Sequence, residues 1–298
     1  MKKPIIAVDL YCGIGGVTQG MLDAGAKVVL SIDGWDVAEY LHKVNYPSVP
    51  FVKRMLGEAP TEDLGLILKH LPADRDSYHF HLHGSPPCQA FSGLAGAKKR
   101  HISQGTKNVD HFLWLVKQLK PDSWSMENVP ATRKHYPHLP HQMLAAKNHG
   151  VAQLRNRFFA GEGWRVPRAV WKNLVSWNSV IDDTGLPIGS VLNTVGCSVT
   201  TSPRSEASDS KWDCPSLTMT RQLPSIRKKQ PDGSFVKIRS LTVMEMALLF
   251  GFPSTINLNT PSWFGAKDLT MAIGNSVCPP VMTALIESII STTSTIDS

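Results

Sequence analysis

The sequence predicts an α/β fold: a parallel sheet in a large domain, accompanied by a smaller domain rich in β segments and loops. Three observations carry this. Residues 4–33 read as strand, tight glycine turn, helix and strand, which is a βαβ unit. Two later strand signals each end in a residue with chemical capability, Cys88 and Glu127. From Trp164 onward the composition shifts to Ser, Thr, Pro and Trp, with short apolar runs and turn signals.

The first strand is the run Ile5, Ile6, Ala7, Val8, whose unbroken apolar character suits burial on both faces. Asp9 follows, and Tyr11, Cys12, Gly13, Ile14, Gly15 and Gly16 turn the chain into a helix from Val17 to Gly25. Residues 27–32 form the second strand, ending at Asp33. On this plan a ligand lies over the glycine turn, and the acid after the second strand takes a ribose. The turn is not GxGxxG and carries no Lys for a phosphate. Asp9 with Gly13, Gly15 and Gly16 suits a nucleoside bearing an amino-acid tail better than a dinucleotide. Trp35 is placed either to stack on the base or to pack as an aromatic at a helix flank.

A helix is expected over 64–71, stopped by Pro72, and a strand over 78–83. Pro86 and Pro87 then restrict the backbone just ahead of Cys88. An unpaired cysteine is often simply buried. At the mouth of a sheet strand it is placed as a nucleophile. His79, His81 and His83 share one strand face, and with no carboxylate or cysteine to complete a metal site they read as stacked rings beside the core. Residues 93–107 interleave glycines with Lys98, Lys99, Arg100, His101 and Lys107, and are expected to form a basic lid that closes on a phosphate backbone.

Helical spacing covers 109–119. Residues 123–126 are the next strand, which delivers Glu127 and Asn128 to the sheet edge that carries Cys88. Desolvation there favours the acid form of Glu127 and makes it a proton donor. A helix is expected over 141–147, then a strand over 153–161 with Gln153, Arg155 and Arg157 on one face. Guanidinium groups inside a sheet need a carboxylate, carbonyl or phosphate partner. The later segment holds a β stretch at 215–220 and a hairpin over 226–238 around Pro231, Asp232 and Gly233. Arg227, Lys228, Lys229, Lys237 and Arg239 point from its arms to solvent. Thr242 and Glu245 form a capping box, residues 272–277 a turn, and 279–290 the last helix.

With 42% hydrophobic residues among 298, the chain has the composition of a globular protein. The net charge of +7 favours a polyanionic partner such as nucleic acid. Cysteines 12, 88, 197, 214 and 278 form no CxxC pair, which argues against zinc and a disulfide framework and for a reducing, cytoplasmic setting. No apolar run approaches the ~20 residues of a membrane span. The N-terminus leads straight into a strand with no signal region. The expected protein binds neither membrane nor metal and is a monomer.

Taken together these blocks resemble the C5-cytosine DNA methyltransferase family. The resemblance rests on Asp9 to Gly16, Pro86-Pro87-Cys88-Gln89, Glu127-Asn128-Val129, Gln153 with Arg155 and Arg157, Arg239-Leu241-Thr242-Glu245 with Gly251-Phe252-Pro253, and Gly274-Asn275-Ser276-Val277. It spans residues 5–285 in the family's order. It implies a Rossmann-like class I methyltransferase large domain with a mixed, mostly parallel sheet, and a small target recognition domain. The large domain is expected over 1–164, the small one over 165–238, and a hinge helix with return to the large domain over 239–298.

The resemblance further implies that Cys88 adds to C6 of a flipped cytosine, Glu127 acts at N3, Arg155 and Arg157 steady the base and the Cys88 region, and Asn128 positions the loop. It implies S-adenosylmethionine as cofactor and S-adenosylhomocysteine as product, held by Asp9, Tyr11, Gly13, Gly15, Gly16, Asp33, Gly34, Trp35, Gly84, Pro87, Asn275 and Ser276. Double-stranded DNA would be met by Gln89, Ser92, Lys98, Lys99, Arg100, Thr218, Arg227, Lys228 and Lys229. The sequence departs from the family's pattern in three places. Lys53, Arg54, Met55 and Leu56 stand where an Asp at the third strand usually meets adenine; Tyr11 replaces a Phe; Cys278 replaces a proline. The Cys-Phe-Thr tripeptide of the family's tRNA-modifying branch is absent, which favours DNA. A catalytically silent binding homologue stays open, while a nicotinamide oxidoreductase is disfavoured by the glycine pattern.

Overall fold

The computed structural model describes residues 3–87, 100–167, 174–181, 184, 186, 190–193, 209–210, 215–216, 218–219 and 223–296. The large sheet is built from β1 (Ile5–Leu10), β2 (Lys27–Asp33), β3 (Phe51–Lys53), β4 (His79–Gly84), β5 (Ser123–Asn128), β6 (His141–Ala145) and β7 (Asn156–Glu162). Their order is β3-β2-β1-β4-β5-β7-β6. The first five strands run parallel, and β7 is antiparallel to both β5 and β6. The strand order reverses between β1 and β4, the position where open α/β sheets leave a crevice for ligands. Every residue of β1 is buried, as its continuous apolar run requires.

Helices α1 (Gly16–Asp23), α2 (Asp36–Asn45), α3 (Pro60–His70) and α4 (Arg100–Leu119) connect these strands, and α5 (Val243–Leu249), α6 (Ala266–Asn275) and α7 (Pro279–Ile296) bring the chain back. On one face Val8, Leu10, Phe80, Leu82, Met126 and Phe112 pack together. On the other Ala7, Val17, Met21, Leu41, Ile273 and Met282 form a core that continues into Trp177, Leu192, Met219 and Ile226. Those last residues belong to the region of a second sheet, ordered β11-β10-β8-β9, with β8 at Val191–Asn193, β9 at Asp209–Ser210, β10 at Ser225–Lys229 and β11 at Phe235–Ser240. The β10–β11 hairpin closes where the sequence places it, with Asp232 accepting from the Ser234 amide at 2.9 Å.

Four expectations need correction. Of residues 141–147, expected as a helix, 141–145 are a strand, β6 pairing with β7 from His141 opposite Ala160 to Ala145 opposite Asn156, and only the last two enter a short 3-10 turn, Ala146–His149. Gln, Met, Leu and Ala are helix formers, but edge pairing overrides so weak a preference. The strand expected from 153 begins at Asn156, and Gln153 instead makes an isolated bridge to Ser216. The basic stretch 93–107 is helical from Arg100, within α4; residues 93–99 lie outside the described residues. Residues 272–275 end helix α6 rather than form a turn. The apolar stretch Ala266–Ser291, which α6 and α7 share, is by length and composition sufficient to cross a membrane, yet it is mostly buried inside the protein, as core helices are.

Candidate active site

A cavity of about 370 Å³ opens at the C-terminal ends of the parallel strands. After β1 it is lined by Tyr11, Cys12 and Gly13, after β2 by Asp33, Gly34 and Trp35, and after β3 by Arg54, Met55 and Leu56. Ser85, Pro86 and Pro87 follow β4, and Glu127 lies at the end of β5. The far wall comes from the returning chain, including Met271, Asn275 and Ser276.

The glycine turn is held by Asp33. Its Oδ2 accepts from the Gly13 amide at 2.9 Å and its Oδ1 from the Trp35 amide at 2.9 Å. A carboxylate has about four acceptor positions, so hydroxyl groups of a ligand can still be received. Burial pushes the Asp33 carboxyl up, against the pull of the Gly13, Trp35 and Gly34 amides. Gly13 has φ 54° and nothing within 4 Å of where a Cβ would stand, so the backbone itself faces the cavity. An apolar slot that ends in an acid able to take a diol, with bare backbone along one wall, fits a nucleoside with an amino-acid tail.

Several expected cofactor contacts lie off the cavity wall. Asp9 is fully buried beneath the turn and accepts from Thr18 Oγ1 at 2.7 Å. Burial pushes its carboxyl up to about 7. Gly15 lies under the Tyr46 ring, and Gly84 against Phe112. At Gly16 a Cβ would fall 2.2 Å from both Ser276 Oγ and Val277 O, so this glycine lets the returning chain close on α1. These residues shape the pocket from behind. Where the family's third-strand Asp is missing, Arg54 lines the cavity and is paired with Asp63 and, at 2.9 Å, with Glu62.

Glu127 and Arg157 meet at the mouth of β5, with Arg157 Nε 3.0 Å from Glu127 Oε1. Burial pushes the Glu127 carboxyl up, while Arg157 and Arg155 pull it down. Asn128 Nδ2 donates to Pro86 O at 3.0 Å, and its Oδ1 accepts from Val129 N and Thr132 Oγ1. The end of β5 is thereby stapled to the backbone two residues before Cys88. Cys88 itself, with Gln89, Ser92, Lys98 and Lys99, lies outside the described residues, as does the side chain of Arg100. Of the described cysteines, Cys12 and Cys278 are both buried, and burial raises both thiols, Cys278 to about 11.

Arg155 does not face the cavity. Its Nη1 donates to Met219 O at 3.1 Å and its Nη2 to Gly274 O at 3.0 Å and Ser276 O at 2.7 Å. Its guanidinium also stacks over Phe250, 4.6 Å from the ring centre. The carbonyl partners demanded by a buried guanidinium come from the return of the chain and from the 215–219 segment. Gln153 adds to this joint by accepting from Met219 N at 2.9 Å. In the hairpin, Arg239 is not a free surface cation: it grips Glu245 through two contacts of 2.8 and 2.7 Å. Lys228 and Lys229 are exposed, and Arg227 and Thr218 are half-buried. Asn108 on α4 and Met271 on α6 also line the cavity; they fall just outside the loop expected over 93–107 and the turn expected over 272–277, and neither carries a motif of its own.

The profile of the C-5 cytosine-specific DNA methylase family matches residues 5–161 and 171–291. The Type II methylase M.HgiDII of Herpetosiphon aurantiacus is 26% identical over 50% of this chain and 44% of its own length. The chain spans half or less of the length of several such relatives. The Type II methyltransferase M.HaeII of Haemophilus aegyptius is 27% identical over 97% of this chain and 93% of its own. Among solved structures, the Entamoeba histolytica methyltransferase EhMeth superposes with a TM-score of 0.64 at 15% identity, covering 98% and 99% of the two chains. That last likeness is one of fold.

Proposed function

Because the chain belongs to the C-5 cytosine-specific DNA methylase family, we propose that it is a DNA (cytosine-5)-methyltransferase acting on a cytosine flipped out of duplex DNA. The observation that carries this reading is buried Glu127, which lines the cavity at the strand ends beside the Pro86–Pro87 segment that leads into Cys88 and is paired from behind with half-buried Arg157. S-adenosylmethionine, held by Asp33, Gly13, Trp35 and the 275–276 wall, would supply the methyl group.

The remaining chemistry belongs to the chain's own residues. Cys88 thiolate forms a bond to C6, and Glu127 gives a proton to N3, which makes C6 a better electrophile. Burial keeps the acid form of Glu127 accessible, and Arg157 holds its carboxyl in place. After C5 is methylated its proton passes to a base from solution, the electron pair of that bond re-forms the C5–C6 double bond, the Cys88 sulfur leaves as thiolate, and the N3 proton returns to Glu127. Asn128 holds the backbone that leads into Cys88 through its bond to Pro86 O. Extruding the base costs a few kcal/mol, which phosphate contacts from the Lys228–Lys229 arm and the segment before α4 would offset. The 165–238 region, with Thr218, is the part assigned to reading the target sequence.

The test is methyl transfer from labelled S-adenosylmethionine to unmethylated duplex DNA, with tRNA and the Cys88→Ser protein in parallel. Signal on DNA that disappears in the variant supports the reading, and base-resolution mapping then gives the site. Signal on tRNA alone moves the chain to the other branch of the family. Cofactor binding without transfer to either makes it a silent binding protein.

A further inference from the structure

β4 and β5 carry a set of polar side chains that the proposed reaction does not use. His79, His81 and His83 alternate down one face of β4, opposite Phe80 and Leu82, which pack into the core on the other. Ser123 and Ser125 do the same on β5, in register with His81 and His83. Five hydrogen bonds join them into one unbroken chain. Ser85 Oγ meets His83 Nε2 at 2.9 Å, and His83 Nδ1 meets Ser125 Oγ at 2.7 Å. Ser125 Oγ meets His81 Nε2 at 3.0 Å, and His81 Nδ1 meets Ser123 Oγ at 2.8 Å. Ser123 Oγ then meets His79 Nε2 at 2.8 Å. One end, Ser85, lines the cavity; the other, His79, is half-buried at the start of β4, at the opposite edge of the sheet.

His81 and His83 are fully buried, and burial disfavours their charged forms, His83 down to about 3. His79 is also held down by burial, with Asp122 favouring its charge and Arg75 and Lys3 opposing it. A neutral imidazole has one donor and one acceptor, and a serine hydroxyl has one donor. Ser123 and Ser125 each lie between two ring nitrogens. No buried hydroxyl is wasted only when one ring donates to the serine and the serine donates to the other. The five bonds then share one direction. If donors run toward the cavity, His83 donates to Ser85 and leaves its O–H free. If they run away, Ser85 donates to His83 and shows the cavity only lone pairs.

We propose that these six residues are one positioning relay, which fixes whether Ser85 meets the bound cofactor as donor or acceptor and couples that choice to His79 at the far edge of the sheet. The proposal rests on the cofactor reading of the cavity. A cationic sulfonium ligand selects lone pairs at Ser85, so all donors run outward and each ring carries its proton on Nδ1. Protonating His79 adds a proton at Nε2 and drives the opposite direction, so mild acid weakens the sulfonium ligand more than the neutral thioether.

The test is long-range ¹H–¹⁵N NMR of the full chain labelled in histidine, free and with S-adenosylmethionine or S-adenosylhomocysteine, with binding followed by calorimetry. The expected result is neutral His81 and His83 with the same protonated nitrogen, and a His79 signal that shifts between the two ligands. That shift should vanish in Ser125→Ala, survive in Ser125→Thr, and vanish in Ser85→Ala, which cuts the relay at its half-buried end should Ser125→Ala not fold. Opposite tautomers at His81 and His83, or a ligand-dependent His79 shift that persists in Ser85→Ala, would overturn the relay. If neither ligand binds, the cofactor reading fails, while the tautomers of the free protein still decide the relay's uniform direction.

Discussion

Arg157 Nε lies 3.0 Å from Glu127 Oε1 across the antiparallel pair β5 and β7. The one antiparallel junction of the sheet next to the parallel strands thus places a guanidinium beside the carboxyl that the proposed reaction uses as an acid. Replacing Glu127 by Gln keeps the shape and removes the proton. Methyl transfer should fall by about 10²–10⁴-fold, with cofactor affinity changed only a few-fold, measured by transfer kinetics and calorimetry.

Asp33 binds two backbone amides of the turn and faces the cavity. Hydrogen bonds to a charged group contribute about 1.5–3 kcal/mol. Asp33→Ala should therefore weaken cofactor binding by roughly 10–100-fold, and Asp33→Asn, which keeps one acceptor oxygen, by less. Equal affinity in both variants would remove Asp33 from the site.

Arg155 acts as a staple between β7's approach and the returning chain. Arg155→Ala leaves the carbonyls of Met219, Gly274 and Ser276 without this partner. Stability should drop by at least about 2 kcal/mol, read from the denaturant midpoint, and activity should fall with it. Arg155→Lys should not rescue, because one ammonium lacks the planar fork that reaches three carbonyls.

Asp9 gives a pH signature. Its folded pKa is raised to about 7 by burial, above the unfolded value. The stability linked to its neutral form is full below about pH 4 and is lost as pH rises through 7. Asp9→Asn should therefore flatten the pH dependence of unfolding over that window, by up to about 4 kcal/mol. Cofactor affinity should change little, since Asp9 does not line the cavity.

Lys228 and Lys229 are exposed on β10. Neutralising both should weaken binding to all duplex sequences alike and flatten the slope of log affinity against log salt by up to roughly 1.8. Unchanged salt dependence would place the DNA elsewhere.

The parts of this protein that follow local rules were legible from its residues. The continuous apolar run of β1, the glycine turn that follows it, the capping box of Thr242 and Glu245, and the hairpin at Asp232–Gly233 each need only their neighbours in sequence. What was misread depends on distant partners. Residues 141–145 become a strand only because β7 offers them an edge. The direction of Arg155 is set by carbonyls at Gly274 and Ser276, which no spacing within its own segment announces. Three histidines on one face were visible, but Ser123 and Ser125 as their partners were not, because that pairing is fixed by the register of β4 against β5.

Tyr11 and Ser276 face each other's cavity wall from near opposite ends of the chain. During synthesis the first two strands and the glycine turn emerge long before the segment that fits over Gly16, so the site stays without its wall until α6 has been made. A ligand of this cavity can then stabilise only chains whose translation has passed this point. A ribosome that stops early releases a product whose cavity lacks the wall of Met271, Asn275 and Ser276, so truncation before α6 removes the pocket as a whole rather than one of its contacts.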